Sequence, residues 1–173
     1  MSHDLEKIVN DVVKQVLGAE ASDVKAAPAK MVKNSMTKMT LEAAKKTIEA
    51  VEKKAAEIGV KAVTAIADAG GNPIAVESMD DAFIASYDIA VNKAFTVVSL
   101  KMPTKNLATL AAPGGSLYGI QFTNNGKIII FGGGEPLCGK DGAIIGGLGV
   151  SGGTAEQDTY LGEYGKEFFE NLI

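Results

Sequence analysis

The chain has 173 residues, of which 46% are hydrophobic and 22% are charged, and its formal net charge is −4. This length and composition predict one globular domain with an appended segment. The acidic balance and the lack of a long basic run argue against binding to nucleic acid.

The sequence also carries no sign of export or of membrane insertion. No apolar run reaches the roughly 18 residues that suggest a membrane span. The N-terminus lacks a basic stretch followed by an apolar stretch, so we expect no secretory signal. The single cysteine, Cys138, excludes an intramolecular disulfide, which fits a reducing compartment. We therefore expect a cytoplasmic protein that contacts no membrane.

The first segment, DLEKIVNDVVKQVL, has the spacing of an amphipathic helix. Its apolar residues recur three and four positions apart, which places them in one stripe along a helix. They are Leu5, Ile8, Val9, Val12, Val13, Val16 and Leu17. A helix of about 14 residues is marginal alone in water, so this stripe needs a partner. The partner is either its own domain or another protein.

Residues 18–36 are rich in Ala and Lys, contain Pro28 and lack strong periodicity, which predicts a flexible linker. The expected organisation is a helix at 1–17, a linker at 18–36 and a domain at 37–173. A long linker favours docking of the helix on another protein over docking on its own domain. Helix and linker resemble the encapsulation peptides of bacterial microcompartment cargo. That resemblance implies a location in the microcompartment lumen, with shell proteins or other cargo as partners.

The first half of the domain predicts a helix, a hairpin and a second helix. Residues 40–58 have a helical apolar stripe with Thr40 as a cap. Residues 60–68 and 73–79 flank a Gly-Gly-Asn turn and predict two antiparallel strands. Residues 82–100 return to helical spacing, and NLATLA at 106–111 predicts a further turn of helix.

The second half predicts three strands and a final helix. Residues 119–122 and 127–133 flank TNNG and predict a second hairpin, residues 143–151 predict a fifth strand, and residues 154–172 predict a helix. The order is α-β-β-α-β-β-β-α. Short turns between successive strands predict an α/β (α+β) fold with a mainly antiparallel five-stranded sheet and helices packed on it.

The stretch GLGVSG, Gly147–Gly152, has the G-x-G-x-x-G spacing of dinucleotide-binding sites. Such sites require a following parallel strand and an acidic residue about 20 positions later. Only one helix follows Gly152, so we exclude dinucleotide binding. Gly152 remains a candidate because N–H groups at a helix start can meet an anionic ligand group.

Three blocks between about residues 37 and 170 resemble the GlcG/HbpS-like haem-binding family, in the family's order. The first has A-x-x-x-G at Ala55–Gly59, D-x-x-G-N at Asp68–Asn72 and then Ser78-Met79-Asp80. The second, SYDIAVNKAFTVVSLKMPTKNL, resembles the family's S-x-x-I-A-x-x-K-A-x-T-A helix followed by P-T. The third, FGGGEPLCGKDGAIIGGLGVSGGTAEQD, resembles its GGG-x-P, D-G-x-x-x-G and G-V-S-G-G-x-x-x-Q-D elements.

This resemblance implies a sandwich around a five-stranded antiparallel sheet and a ring-like homo-oligomer, commonly an octamer. It also implies binding of a tetrapyrrole, either haem or a corrinoid. The family includes a domain fused to a corrinoid adenosyltransferase of propanediol utilisation, which agrees with the microcompartment interpretation of the first helix.

Two departures bear on the ligand. Ser78 replaces the family's arginine before Met-Asp, and the only histidine, His3, lies outside the domain. A haem iron would therefore need a different axial ligand, such as methionine, tyrosine, cysteine or a hydroxyl. Without a domain histidine, no Ser/His/Asp or Cys/His set exists, and no zinc-ligand spacing is present. A binding protein is favoured; an enzyme acting on a small metabolite or cofactor, and a structural organiser of cargo, are the alternatives.

The candidate ligand-binding residues follow from the resemblance and from local chemistry. Lys93 and Thr96 share one helix and either hold a carboxylate or serve as a solvated lysine and a helix-bonded threonine. Asp80 is either a ligand contact or a helix cap. Gly133 and Gly134 either let a flat ligand approach the backbone or form a bulge.

Overall fold

A computed structural model describes residues 36–173, which belong to one compact unit, Ser35–Ile173. The predicted helix at 1–17 and residues 18–35 of the predicted linker lie outside the described residues.

The described residues form an antiparallel sheet with helices on both of its faces. The elements in chain order are α1 (Leu41–Glu57), β1 (Val63–Asp68), β2 (Pro73–Ser78), α2 (Ile84–Leu100), α3 (Thr104–Leu110), β3 (Gly134–Cys138), β4 (Ile144–Ser151) and α4 (Ala155–Leu172). The strand order is β2-β1-β4-β3, and each neighbouring pair is antiparallel. The predicted α+β class with a mainly antiparallel sheet is confirmed.

Local signals in the sequence set several element boundaries. The Thr40 hydroxyl accepts the N–H of Ala43 at 3.2 Å and caps α1. Asp68 Oδ1 accepts the N–H of Gly70 at 2.8 Å in the turn between β1 and β2. At the start of α4, Thr154 and Gln157 form a reciprocal capping box. Each of these polar side chains satisfies a backbone donor that has no partner within its own element.

The prediction of five strands is wrong for the described residues, which contain four. Residues 119–122 and 127–133 were expected to form a hairpin. Instead, two short 3₁₀ turns occupy Ile120–Phe122 and Asn124–Gly126, and no regular strand covers 127–133. The strand of this region begins at Gly134, which the prediction left outside any strand.

Tertiary hydrogen bonds explain this shift of the strand. The N–H of Ile129 donates to the Thr96 hydroxyl at 3.0 Å, so α2 takes a backbone donor that a sheet ladder would otherwise use. β3 contains Pro136, which argues against a central strand. It is tolerated because β3 lies at the edge of the sheet.

Alternating residues of β1 face two separate clusters. Ile66 contributes to the larger cluster between the sheet and helices α1 and α4, together with Ile48, Val51, Leu148, Val150, Leu161 and Phe169. Val63, Ala65 and Ala67 face α2 with Ala90 and Ala94. The period of two in the strand therefore separates the two faces of the sheet.

The glycines of β4 let α2 pack directly against the sheet backbone. A Cβ atom on Gly149 would lie 2.7 Å from the backbone nitrogen of Ala94, and one on Gly147 would lie 2.6 Å from Val97 Cγ2. Neither approach is compatible with a side chain. The G-x-G spacing in GLGVSG thus serves helix–sheet contact.

Candidate functional site

Lys93 is buried in an ion pair beside the junction of β4 and α4. Its Nζ donates to Asp158 Oδ2 at 2.8 Å and to the carbonyl oxygen of Val150 at 2.7 Å. The Lys93 side chain is fully inaccessible and Asp158 is 3% exposed. Nζ also lies 4.8 Å from the centre of the Phe131 ring, within the range of a cation–π contact.

Asp158 joins this pair to the start of α4. Its second oxygen, Oδ1, accepts the N–H of Gly153 at 2.9 Å. Burial lowers the pKa of Lys93, and the charge and hydrogen bond of Asp158 oppose that shift. The pair therefore holds α2, the end of β4 and the first turn of α4 together.

Thr96 also makes internal contacts. Its hydroxyl donates to the carbonyl of Asn92 at 2.7 Å within α2 and accepts the N–H of Ile129 at 3.0 Å. The side chain is fully buried. Thr96 therefore fixes the segment that leads to Phe131, which lies against Lys93.

Gly133 and Gly134 lie at the start of β3, next to Lys93 and Thr104 respectively. Gly133 has a φ of +109°, and a Cβ there would lie 2.7 Å from Lys93 Nζ. Gly134 donates its N–H to the Thr104 hydroxyl at 2.8 Å. The space beside both glycines is therefore occupied by other atoms of the protein.

The remaining two candidates are Asp80, before α2, and Gly152, directly after β4. Asp80 is exposed in the turn before α2, and the N-cap of that helix is Phe83, with no side-chain cap. Of the two alternatives for Asp80, the helix cap is wrong, because α2 begins later, at Ile84; its role as a ligand contact stays a prediction. Gly152 lines a cavity between α2 and α4.

Two cavities adjoin at Phe131, and we call them together the Phe131 cleft. The larger has a volume of about 380 Å³ and includes Phe131, Ala155 and Tyr160 in its lining. The smaller has a volume of about 260 Å³ and includes Phe131, Ala155 and Ile89. Because Phe131 and Ala155 line both, the two cavities are neighbouring parts of one mostly apolar cleft.

The cleft has a charged rim and an aromatic edge. Lys105 and Glu163 form an ion pair in the lining of the larger cavity. Tyr160 is 48% exposed in the same cavity, and Phe83 is 72% exposed in the smaller one. Apolar walls with a few polar groups are typical of small-molecule sites.

A second buried charge, Glu135 on β3, faces α4 near the cleft. The side chain is 3% exposed, and the nearest cationic atom to its carboxylate is Lys166 Nζ at 3.9 Å. Burial raises the pKa of Glu135, and the charges of Lys166 and Lys105 offset part of that increase.

Within residues 36–173, no cluster of three or more His, Cys, Asp or Glu side chains could hold a metal ion. No helix in this part of the chain has the length and apolar character needed to cross a membrane.

Sequence reasoning missed two residues that organise this region. Asp158 is the last residue of the G-V-S-G-G-x-x-x-Q-D element, so the motif itself carried a signal for it. Phe131 carried none, because its position over Lys93 depends on the irregular path of residues 127–133.

Comparison with known proteins identifies relatives that share the sequence and the fold of this chain. An uncharacterised 15.0 kDa protein from the dhaT-dhaS intergenic region of Citrobacter freundii is 48% identical over 78% of this chain and 94% of its own length. The corrinoid adenosyltransferase PduO of the same species is 40% identical over 64% of this chain, but this chain spans only 32% of that protein. The crystal structure of a PduOC:heme complex superposes with a TM-score of 0.72 at 35% identity, covering 75% of this chain and 94% of the other.

Residues 39–166 match the family described as haem-degrading protein HbpS-like. The chain belongs to this family, as the motifs predicted.

Proposed function

We propose that the described domain binds a haem-class tetrapyrrole in the Phe131 cleft. The observation that carries the proposal is the pair of cavities that adjoin at one aromatic side chain. Support comes from the 35% identical relative whose structure is a complex with heme. The larger cavity alone, at about 380 Å³, falls in the usual size range of roughly 300–1,000 Å³ for ligand sites.

The residues of the cleft fit a flat, apolar ring. Phe83, Ile89 and Phe131 offer apolar surface on the smaller cavity, and aromatic rings suit offset stacking. Tyr160 is the residue of the larger cavity whose side chain is a known type of axial ligand. A bound haem would supply an iron centre whose chemistry depends on that ligand and on the polarity of its surroundings.

The test is a titration with haemin followed through the Soret absorption. Phe83→Ala should weaken binding by about one to two orders of magnitude, because burial of a Phe side chain under a ligand contributes about 1.5–3 kcal/mol. Phe122→Ala is the matched control, since Phe122 is 82% exposed and lines neither cavity. Failure of the wild-type protein to bind haemin overturns the proposal.

Tyr160→Phe tests the axial ligand separately from the fit of the ring. We expect retained haemin binding and a changed visible spectrum of the ferric complex, because only the phenol oxygen is lost. Tyr118→Phe is the control, since Tyr118 is also exposed but lies away from both cavities. An unchanged spectrum of Tyr160→Phe removes Tyr160 from this role. Binding of cobalamin in place of haemin would favour a corrinoid as the ligand.

The location in a microcompartment lumen is a further part of this proposal. It rests on the apolar stripe of residues 1–17, and the segment 18–36 would serve as its linker. The full chain fused to a fluorescent protein should form foci in cells that make shells. Val12→Asp, within the stripe, should disperse them, and Lys14→Ala on the polar side should not. Diffuse signal from the unmodified fusion overturns this part.

We also propose that the chain forms a homo-oligomer. The support is the exposed apolar start of α2, where Ile84 is 97% exposed and Tyr87 is 51% exposed. Contiguous exposed apolar surface commonly marks an interaction site. Light scattering on a sizing column should give a multiple of the 17.9 kDa chain mass; a monomer at micromolar concentration contradicts it.

A further inference from the structure

The smaller cavity of the Phe131 cleft lies where two helices begin. Its lining includes Phe83, Ala85 and Ser86 from the start of α2, and Gly153 and Ala155 from the start of α4. Both helices are long, with 17 and 18 residues. The N-terminal end of each carries a partial positive charge and backbone N–H groups without helical partners.

The two helix starts differ in how these groups are satisfied. At α4, Thr154 and Gln157 form the capping box, and Gly153 donates to Asp158 Oδ1. At α2, the N-cap residue Phe83 provides no side-chain hydrogen bond, and the first turn contains no acidic residue. The positive end of α2 is therefore left without a side-chain cap.

A pair of buried hydroxyl groups lies in the same cavity. Ser86 and Ser151 are each 4% exposed, and the Ser151 hydroxyl donates to Ser86 Oγ at 3.2 Å. This bond uses one of the two hydroxyl hydrogens. Within residues 36–173, this is the one hydrogen bond that either hydroxyl makes. One hydroxyl hydrogen can therefore be donated to an acceptor group in the cavity.

The charges around the cavity do not repel an anion strongly. Asp158 lines it, but one carboxylate oxygen is bound by Lys93 and the other by Gly153. The positive charge of Lys93 thus balances that carboxylate. Asp80 and Asp81 are exposed to solvent before α2, where water and salt screen them.

We infer that this cavity binds a carboxylate group, held by the Ser86–Ser151 hydroxyl pair and the uncapped start of α2. Its volume of about 260 Å³ accommodates a carboxylate on a short alkyl stem. The carboxylate belongs either to a tetrapyrrole whose ring occupies the rest of the Phe131 cleft or to a free short-chain acid. The first source rests on the proposed function, and the second does not.

The experiment compares haemin with haemin dimethyl ester, in which both carboxylates are blocked. We expect haemin to bind about tenfold more tightly. Ala85→Asp places a carboxylate in the first turn of α2, where it competes with the ligand while favouring the helix. This variant should lose the difference between the two porphyrins, and the uncharged control Ala85→Asn should keep it. A folded, stable Ala85→Asp protein separates this effect from damage to the fold.

Two further measurements keep the inference independent of haem binding. Sodium propionate should raise the Tm of the wild-type protein above that in sodium chloride of equal ionic strength, and Ala85→Asp should abolish the increase. Ser86→Ala should weaken either carboxylate effect, and Ser99→Ala, at an exposed serine near the other end of α2, should not. If neither porphyrin binds but propionate protects, the proposed function fails and the carboxylate site stands with a free acid as its source. Absence of both the porphyrin difference and the propionate effect overturns the site.

Discussion

Two buried charges contact α4 in very different ways. Lys93 meets Asp158 at 2.8 Å and also donates to the Val150 carbonyl, so its ammonium group is well satisfied. Glu135 is only 3% exposed, and the nearest cationic atom to its carboxylate, Lys166 Nζ, lies 3.9 Å away. One site compensates a buried charge within the fold, and the other does so only partly.

The contrast shows that burial alone does not define the energetic role of a charged residue. A charge taken out of water must regain its solvation from partners at hydrogen-bonding distance. The Lys93–Asp158 pair does this and connects three elements around the cleft. Glu135 does so weakly, and burial raises its pKa. We expect the first site to stabilise the architecture and the second to cost stability near neutral pH.

The largest effect should follow from Asp158→Asn. The change leaves the Lys93 ammonium buried without its counter-charge, which typically costs about 3–5 kcal/mol. Urea denaturation at pH 7 measures this loss of unfolding free energy. Because the pKa of Lys93 should fall further in the variant, the folded state binds fewer protons than the unfolded state between that pKa and the ordinary value, and stability should recover as pH rises through that interval. A deficit that does not depend on pH contradicts this explanation.

The double variant Lys93→Met with Asp158→Leu should be more stable than Asp158→Asn alone. Replacing both members of a buried pair with apolar residues of similar size is often neutral or stabilising. A higher stability of the double variant would separate the cost of an unpaired buried charge from the contribution of the Lys93–Asp158 pair. If the double variant is the less stable of the two, hydrogen bonds to Val150 and Gly153 dominate the site.

Glu135→Gln should give a smaller effect of the opposite sign at pH 7. The folded-state pKa of Glu135 lies above its ordinary value of 4.5. Its contribution to stability is therefore full below that value and is lost as pH rises through the folded-state pKa, by about 1.4 kcal/mol per unit of pKa difference. Glu135→Gln should remove this decline and be at least as stable as the wild type at pH 7. Parallel stability curves from pH 4 to 8 would contradict an unfavourable buried carboxylate.

The smallest effect should come from Lys105→Ala at the rim of the cleft. The side chains of Lys105 and Glu163 are 43% and 49% exposed, so solvent screens their ion pair. Exposed pairs contribute about 0.2–1 kcal/mol. Thermal unfolding should shift slightly and less in high salt. A loss comparable to that of Asp158→Asn would show that the buried Lys93–Asp158 pair and the exposed Lys105–Glu163 pair do not differ in their contribution to stability.

Much of the fold could be predicted because its signals are local. The apolar stripe of α1, the Asp68 turn and the Thr154 cap each act within a few residues of chain. The failure at 127–133 has a different cause. Its β-branched residues favour a strand by propensity, but the Thr96 hydroxyl takes a backbone donor of that segment from across the molecule. Such a contact leaves no trace in local spacing.

For the candidate site, too, the sequence supplied local information but not the long-range contacts. The sequence drew attention to Lys93 and Thr96, but it could not show that both are satisfied internally. Lys93 is 65 residues from its partner Asp158, and no periodicity links them. Ser86 and Ser151 also come together only through tertiary packing. Local chemistry identified important positions, whereas their partners required the fold.

The direct contact between α2 and the glycines of β4 has a mechanical consequence for the cleft. Atoms already at van der Waals distance cannot move closer, and separating them would open a void along the whole helix. The wall that α2 contributes to the smaller cavity is therefore expected to resist deformation when a ligand enters. Phe131, at 38% exposure, lines both cavities and is attached to irregular backbone. We therefore expect adjustment of the cleft to a ligand to occur at the Phe131 ring rather than at α2.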